Sequence, residues 1–153
     1  MEMQIRLDDL SDPRIAAFLQ EHIRDMRAVS PPQSKHALDL EGLKRPEIRF
    51  WSGWIGPELV ACAALKQLDA THGELKSMRT SSRHRRQGLA QAMLLHVLER
   101  ARSAGLRRVS LETGSMPFFE PARRLYQRHG FVPCEPFADY RPDPNSVFLT
   151  RVV

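Results

Sequence analysis

No stretch of this chain approaches the ~20 consecutive apolar residues that a membrane-crossing helix needs; the longest aliphatic run, Leu59 to Leu65, is stopped by Lys66. A membrane is therefore not expected as a partner. The opening Met1-Glu2-Met3-Gln4-Ile5-Arg6 lacks the apolar core of a secretory signal, so a cytoplasmic location is expected. Cysteine is scarce. Cys62 and Cys134 stand far apart, without the paired spacing of a zinc site, and read as reduced thiols. No two histidines show helical metal-ligand spacing with an acidic partner, so no metal is expected. Internal repeats and low-complexity tracts are absent, and 153 residues suit one domain with one core over 1–153. Between Lys76 and Arg108 there is no Phe, Tyr or Trp at all. A pI of 9.8 raises the question of nucleic acid, but a nucleic-acid groove usually stacks bases on aromatics, so nucleic acid is not expected.

That same aromatic-free segment holds what is abundant. It carries nine Lys or Arg against one acidic residue, a net +8, whereas the whole chain is +5 and the remainder therefore −3. Within it, Arg85-Arg86-Gln87-Gly88-Leu89-Ala90 opens an amphipathic stripe formed by Met93, Leu94, Val97, Leu98 and Ala101 and stopped at Gly105. A helix start presents unpaired N–H groups and the positive end of the helix dipole. Surrounded by this much positive charge, it reads as a seat for a polyphosphate.

Periodicity supplies the rest of the order. Ile5-Arg6-Leu7 alternates as a strand, and Ser11-Asp12-Pro13 starts a helix through Ile15, Phe18, Leu19, His22, Ile23 and Met26 to about Val29. Ser30 to Ser34 is a breaker cluster, and His36 to Leu43 suggests a short second helix. Ile48–Ile55 and Glu58–Leu68 flank Gly56-Pro57 as a hairpin, and His72–Thr80 follows as a third strand. Strand, helix and the next strand at Val109–Thr113 make a crossover, which places the strands at 74–80 and 109–113 parallel. Pro121 to His129 reads as a further helix ended by Gly130, and Phe131-Val132 with Ser146 to Val152 as a closing pair. The fold class is α/β (α+β), a mixed and mostly antiparallel sheet flanked by helices.

The loop Arg85-Arg86-Gln87-Gly88-Leu89-Ala90, followed by Ala122-Arg123-Arg124-Leu125-Tyr126 with Gly130-Phe131, resembles the paired motifs of the GNAT superfamily of acyl-CoA N-acyltransferases. The order of elements is similar over essentially the whole chain. The resemblance implies acetyl-CoA as the acyl donor, with its pyrophosphate on the N–H groups of Arg85, Arg86, Gln87, Gly88, Leu89 and Ala90. It also implies that the pantetheine arm pairs with backbone at Met78, Arg79 and Thr80, where the parallel strands splay. Side chains at 78–80 matter less than their peptides.

Three chemical tasks follow from that resemblance. Glu74 is the first candidate for the base that yields a neutral amine, and Glu112, on the neighbouring strand, the second. A strand N–H near Met78 would meet the oxyanion. Tyr126 matches the family tyrosine that hydrogen-bonds the departing thiolate. Where family members often carry Asn, this chain has Phe119, which leaves an apolar wall in place of a side-chain anchor. The acceptor, an amine, is expected between the segment at 28–40 and the loop around Pro136 to Asn145, with Asp139, Tyr140 and Asp143 facing it. His22 and His96 read as structural or surface, and His84 as part of the phosphate field. Trp51 and Trp54 should face opposite sides of the sheet, one of them near the acceptor. A homodimer is a further expectation. The rivals to catalysis are a CoA-binding sensor without turnover and a nucleic-acid binder using the same basic run.

Overall fold

A computed structural model describes residues 2–29, 40–85 and 87–153. Along the chain run β1 (Gln4–Leu7), α1 (Pro13–Val29), α2 (Leu40–Leu43), β2 (Ile48–Ile55), β3 (Glu58–Gln67), β4 (His72–Thr80), α3 (Leu89–Ser103), β5 (Arg108–Gly114), α4 (Glu120–Arg128), β6 (Val132–Pro133) and β7 (Ser146–Val152). The expected strands and helices that fall within the described residues are present, with ends shifted by a residue or two. Of the short helix expected over His36 to Leu43 only Leu40–Leu43 is described, and 36–39 lie outside the described residues.

The seven strands form one sheet in the order β1-β2-β3-β4-β5-β7-β6, antiparallel throughout except for β4 and β5. That parallel pair is joined by α3, as a crossover requires. It is also short. Pairing covers His72 with Arg108, Gly73 with Val109 and Glu74 with Ser110, and then stops. Beyond it β4 stays with β3 as far as Thr80 opposite Ala61, and β5 stays with β7 as far as Gly114 opposite Ser146. The sheet therefore opens as a V between two strands that each keep one neighbour.

A bulge in β4 contributes to the opening. Ala64 faces Lys76 whereas Cys62 faces Arg79, so β4 carries one residue more than β3 over this interval. Ser77 takes up the extra length with a φ of 54°, and such a bulge bends its strand away from the flat ladder. The Cys62 thiol donates to the Ser77 carbonyl at 3.2 Å, tying the bulge to β3.

Two apolar clusters fix the sheet between its helices. On one face α3 packs Met93, Leu94, Val97, Leu98 and Ala101 against Trp51, Leu75 and Leu111, and α4 adds Leu125 and Tyr126. On the other, Ile15 and Leu19 of α1 and Leu43 of α2 cover Phe50, Trp54 and Cys62. Leu94 is fully buried, so Leu94→Ala would cost about 2–5 kcal/mol through lost burial and the cavity left behind. The two tryptophans do face opposite sides, but both are core. Trp54 lies under the guanidinium groups of Arg6 and Arg14 at 5.1 and 4.4 Å, and its indole donates to Ser52.

On this second face the sheet continues through β5 and β7. There the loop between β6 and β7 lays Phe137 and Tyr140 against Phe148, with ring centroids 5.1 Å apart within the loop and 5.5 Å from Tyr140 to Phe148. Beneath it runs a polar string. His72 Nε2 lies 2.7 Å from Ser110 Oγ, which lies 2.8 Å from Thr150 Oγ1, and Arg108 donates to the same Thr150 oxygen at 3.0 Å. Buried hydroxyls are satisfied by one another here, as interior polar groups must be.

Candidate active site

The basic loop leaves β4 through a single helical turn, Ser82–His84, whose entry is capped by Ser81. Arg85 and Gln87 then lead to Gly88, the N-cap of α3, with φ 76°. Arg86 lies outside the described residues. The first intrahelical bond runs from Ala92 N–H to Gly88 C=O at 3.0 Å, so the N–H groups of Leu89, Ala90 and Gln91 have no carbonyl within the helix to meet. Among the described residues no side chain caps them, and no acidic residue stands in the first turn. A Cβ at position 88 would meet nothing within 4 Å. Glycine is required there by its left-handed backbone, which L side chains rarely adopt, rather than by crowding from the protein. Arg85 is exposed, and among the described residues it makes no ion pair. His84, expected in the phosphate field, is instead turned towards β3, with Nε2 3.4 Å from Glu58.

The strand splay encloses a cavity of ≈ 110 Å³ lined by Leu75–Met78 of β4 and Leu111–Gly114 of β5. Phe119, Ala122 and Tyr126 close it on the α4 side, and His22 and Met26 of α1 on the other. The ring of Phe119 occupies the space into which a Cβ on residue 114 would project, so Gly114 is what admits this apolar wall. Arg123 fixes the same corner by donating to the carbonyls of Gly114 and Met116 at 2.6 and 3.0 Å. Tyr126 is buried, edge-on to Phe131 at 5.7 Å, and burial pushes its hydroxyl well above the usual tyrosine range.

Opposite Tyr126, burial draws His22 down to about 4, with the nearby Arg79 cation acting in the same direction and Asp25 opposing. The imidazole is therefore neutral at physiological pH. Arg79 is nearly buried, held by Asp25 at 2.9 Å and Glu21 at 3.1 Å, with its guanidinium 5.4 Å from the Phe18 ring. Its side chain is thus committed to α1, and Arg79 has only its peptide to offer the cavity. The thiol of Cys62 is pushed by burial up to about 12, which keeps it from acting as a nucleophile.

The two glutamates are not equivalent. Glu112 lines the splay cavity. Glu74 sits one step earlier, where β4 and β5 are still paired, and lines a neighbouring open cleft of ≈ 500 Å³. One oxygen of the Glu74 carboxylate accepts both from the Tyr140 hydroxyl at 2.6 Å and from Lys76 Nζ at 3.0 Å. Desolvation and the neighbouring Glu74 charge hold Tyr140 far above the usual tyrosine range, so it remains a donor. Lys76 borders both the cavity and the cleft. The acceptor-side residues expected from the sequence, Asp139, Tyr140 and Asp143, all line the cleft; of the segment at 28–40, positions 30–39 lie outside the described residues.

Sequence reasoning missed His22, Met26 and Ser77. The first two carry the same three- and four-residue spacing as the core face of α1, and nothing in that spacing separates a core position from a cavity wall. For Ser77 no local signal exists, since serine has no preference for the left-handed region.

The geometry has counterparts. The acetyltransferase (GNAT) family matches residues 15–131. The uncharacterized N-acetyltransferase YsnE of Bacillus subtilis (strain 168) is 56% identical over 149 residues, covering 97% of this chain and 99% of that one. An IAA acetyltransferase of Azospirillum brasilense is 32% identical over 139 residues, 90% of this chain and 89% of that one. Among solved structures, a PaiA N-acetyltransferase from Thermoplasma acidophilum in complex with coenzyme A superposes with a TM-score of 0.76 over 100% of both chains at 13% identity, a likeness of fold. Among the described residues no helix is long and apolar enough to cross a membrane, and no group of three or more His, Cys, Asp or Glu is arranged to hold a metal. With an uncapped helix start at one end of a strand splay and a family match over most of its length, the chain belongs to the acetyltransferase (GNAT) family and is an acyltransferase.

Proposed function

We propose that the chain moves an acetyl group from acetyl-CoA to an acceptor amine by direct attack within a ternary complex. The observation that carries this reading is continuity: an open helix start within a basic run of sequence leads, along one strand edge without a β5 partner, to a cavity lined by a tyrosine and a carboxylate. The diphosphate binds at the N–H groups of Gln87, Gly88, Leu89 and Ala90, with Arg85 and Arg86 adding charge. The arm of the donor lies in the V, where the peptides of Met78, Arg79 and Thr80 lack a β5 partner. Phe119 supplies an apolar wall along it.

Within the cavity the thioester carbonyl faces the bulge at Ser77-Met78, whose backbone is released from the regular ladder and is available to a developing oxyanion. Glu112 takes the proton from the attacking amine. It is preferred to Glu74 because it lines the splay cavity itself, whereas Glu74 lines the neighbouring cleft. Lys76, at the junction of cavity and cleft, disfavours a second positive charge and so promotes the neutral amine. Tyr126 hydrogen-bonds the leaving sulfur. Its raised pKa keeps the proton on oxygen until charge has built on the thiolate, so it acts as a donor and not as a full acid. The inert, reduced Cys62 suits a cytoplasmic setting and argues against an acyl-enzyme.

Tyr126→Phe tests catalysis against simple CoA sensing. The packing of the ring is kept, so the affinity for acetyl-CoA should stay unchanged while kcat falls on the order of 10- to 100-fold. Undiminished turnover would remove Tyr126 from the mechanism. Absence of thiol release from the wild type with any amine, alongside normal CoA binding, would favour the sensor.

A further inference from the structure

We infer that the acceptor carries a carboxylate as well as its amine, and that the cleft beneath the loop between β6 and β7 binds that carboxylate through Lys66 beside Lys76. The inference rests on the transfer reading above and names the substrate class of the same site. The cleft, ≈ 500 Å³, is several times the volume of the splay cavity and meets it at Lys76. The cavity is occupied by the donor arm in that reading, so the adjoining cleft is the room left for an acceptor.

The chemistry of the cleft then selects its occupant. Lys66 and Glu74 are direct partners across β3 and β4, and Lys76 is partnered with Ala64 two residues further along β3. Alternation places Lys66, Glu74 and Lys76 on one face of the sheet, so the floor holds two amines and one carboxylate. Lys76 is nine-tenths buried, and its ammonium is shared between Glu74 and the Tyr140 hydroxyl. Lys66 makes no ion pair among the described residues, although Glu74 is its cross-strand neighbour. The carboxylate that would have neutralised it is bound by Lys76 and Tyr140. An unneutralised ammonium beside an open cleft is the complement of an anion.

The described residues of the lining set the charge of that anion. Lys66, Lys76 and Arg141 are balanced by Glu74, Asp139 and Asp143. A dianionic phosphate would be repelled by Glu74 and the loop aspartates. A molecule bearing one carboxylate and one amine is matched, because its ammonium can enter past the acidic loop and lose its proton in the cavity. Two strand residues, about 7 Å, separate the level of Lys66 from that of Lys76. The carboxylate lies at the Lys66 end and the amine at the splay end.

The test compares matched acceptors by thiol release from acetyl-CoA: phenylalanine with phenethylamine, and γ-aminobutyrate with propylamine. In the wild type the carboxylated member of at least one pair should show a KM lower by about tenfold, the scale of one charge-assisted hydrogen bond. Lys66→Gln should erase that difference by raising the KM of the carboxylated member alone, with kcat little changed, and Lys66→Arg should restore it. Preference for the decarboxylated amines, or a Lys66→Gln effect equal on both members of each pair, would overturn the carboxylate site and leave amine transfer standing. Binding of acetyl-CoA without thiol release from any amine would overturn the transfer reading, and this inference with it.

Discussion

Helices α1 and α3 pack on opposite faces of the same sheet and open in opposite ways. At the start of α1 the Asp12 carboxylate accepts from the Arg14 N–H at 2.9 Å and pairs with the Arg14 guanidinium at 2.7 Å, and further along Glu21 and Asp25 neutralise Arg79. Its charges are met within the protein. Helix α3 begins at a glycine with no side-chain cap and no acid in its first turn, next to an arginine that makes no ion pair among the described residues. The contrast separates a helix start closed by its own side chains, which serves as scaffold, from one left open amid like charge, which we propose as the diphosphate seat.

Acid should disturb the scaffold side most. His22 of α1 is drawn from its ordinary 6.5 to about 4 in the folded protein. The unfolded chain therefore binds more protons between these values, and stability is complete above about 6.5 and declines as pH falls towards 4. The full loss is on the order of 3 kcal/mol, and His22→Gln should flatten the pH dependence of the melting temperature over that window. A profile unaltered by the substitution would mean that the imidazole is not the group that titrates.

On the open side, Gly88→Val forces a β-branched residue into the left-handed region and should weaken acetyl-CoA binding on the order of 10- to 100-fold. Because a Cβ there meets no protein atom, Gly88→Ala should fold normally and show a smaller loss. Calorimetric titration checks both, and normal affinity in Gly88→Val would remove the loop from the binding site. Arg85→Ala should weaken CoA by about 1 kcal/mol. That loss should shrink as salt is raised, since the side chain is exposed. Smallest, and confined to the closed helix, Asp12→Ala should lower the melting temperature by a few degrees through loss of the cap, with the affinity for CoA unchanged.

Much of the architecture was legible because its signals are local. The stripe from Met93 to Ala101, the Pro13 and Pro121 starts and the Gly56-Pro57 turn each fall where backbone preference and apolar spacing agree. The site was legible only in part. Gly88 announces itself, since a glycine ahead of an apolar stripe in a basic run marks a helix start left open to an anion. The different surroundings of Glu74 and Glu112 are not written in either residue. They depend on β4 and β5 parting after Glu74, which leaves one carboxylate under the loop with Tyr140 and the other in the cavity.

The sequence by itself determined the order of strands and helices, the placement of positive charge on one strand-loop-helix unit and the glycine that opens it, because those depend on neighbours within a few residues. Only the tertiary structure decided that Ser77 would bend β4 out of the ladder and that His22 would face the resulting gap. It also decided that Lys66 would be left without the carboxylate beside it. Each of these depends on contacts between segments distant along the chain, where packing and the competition for hydrogen-bond partners override any local preference.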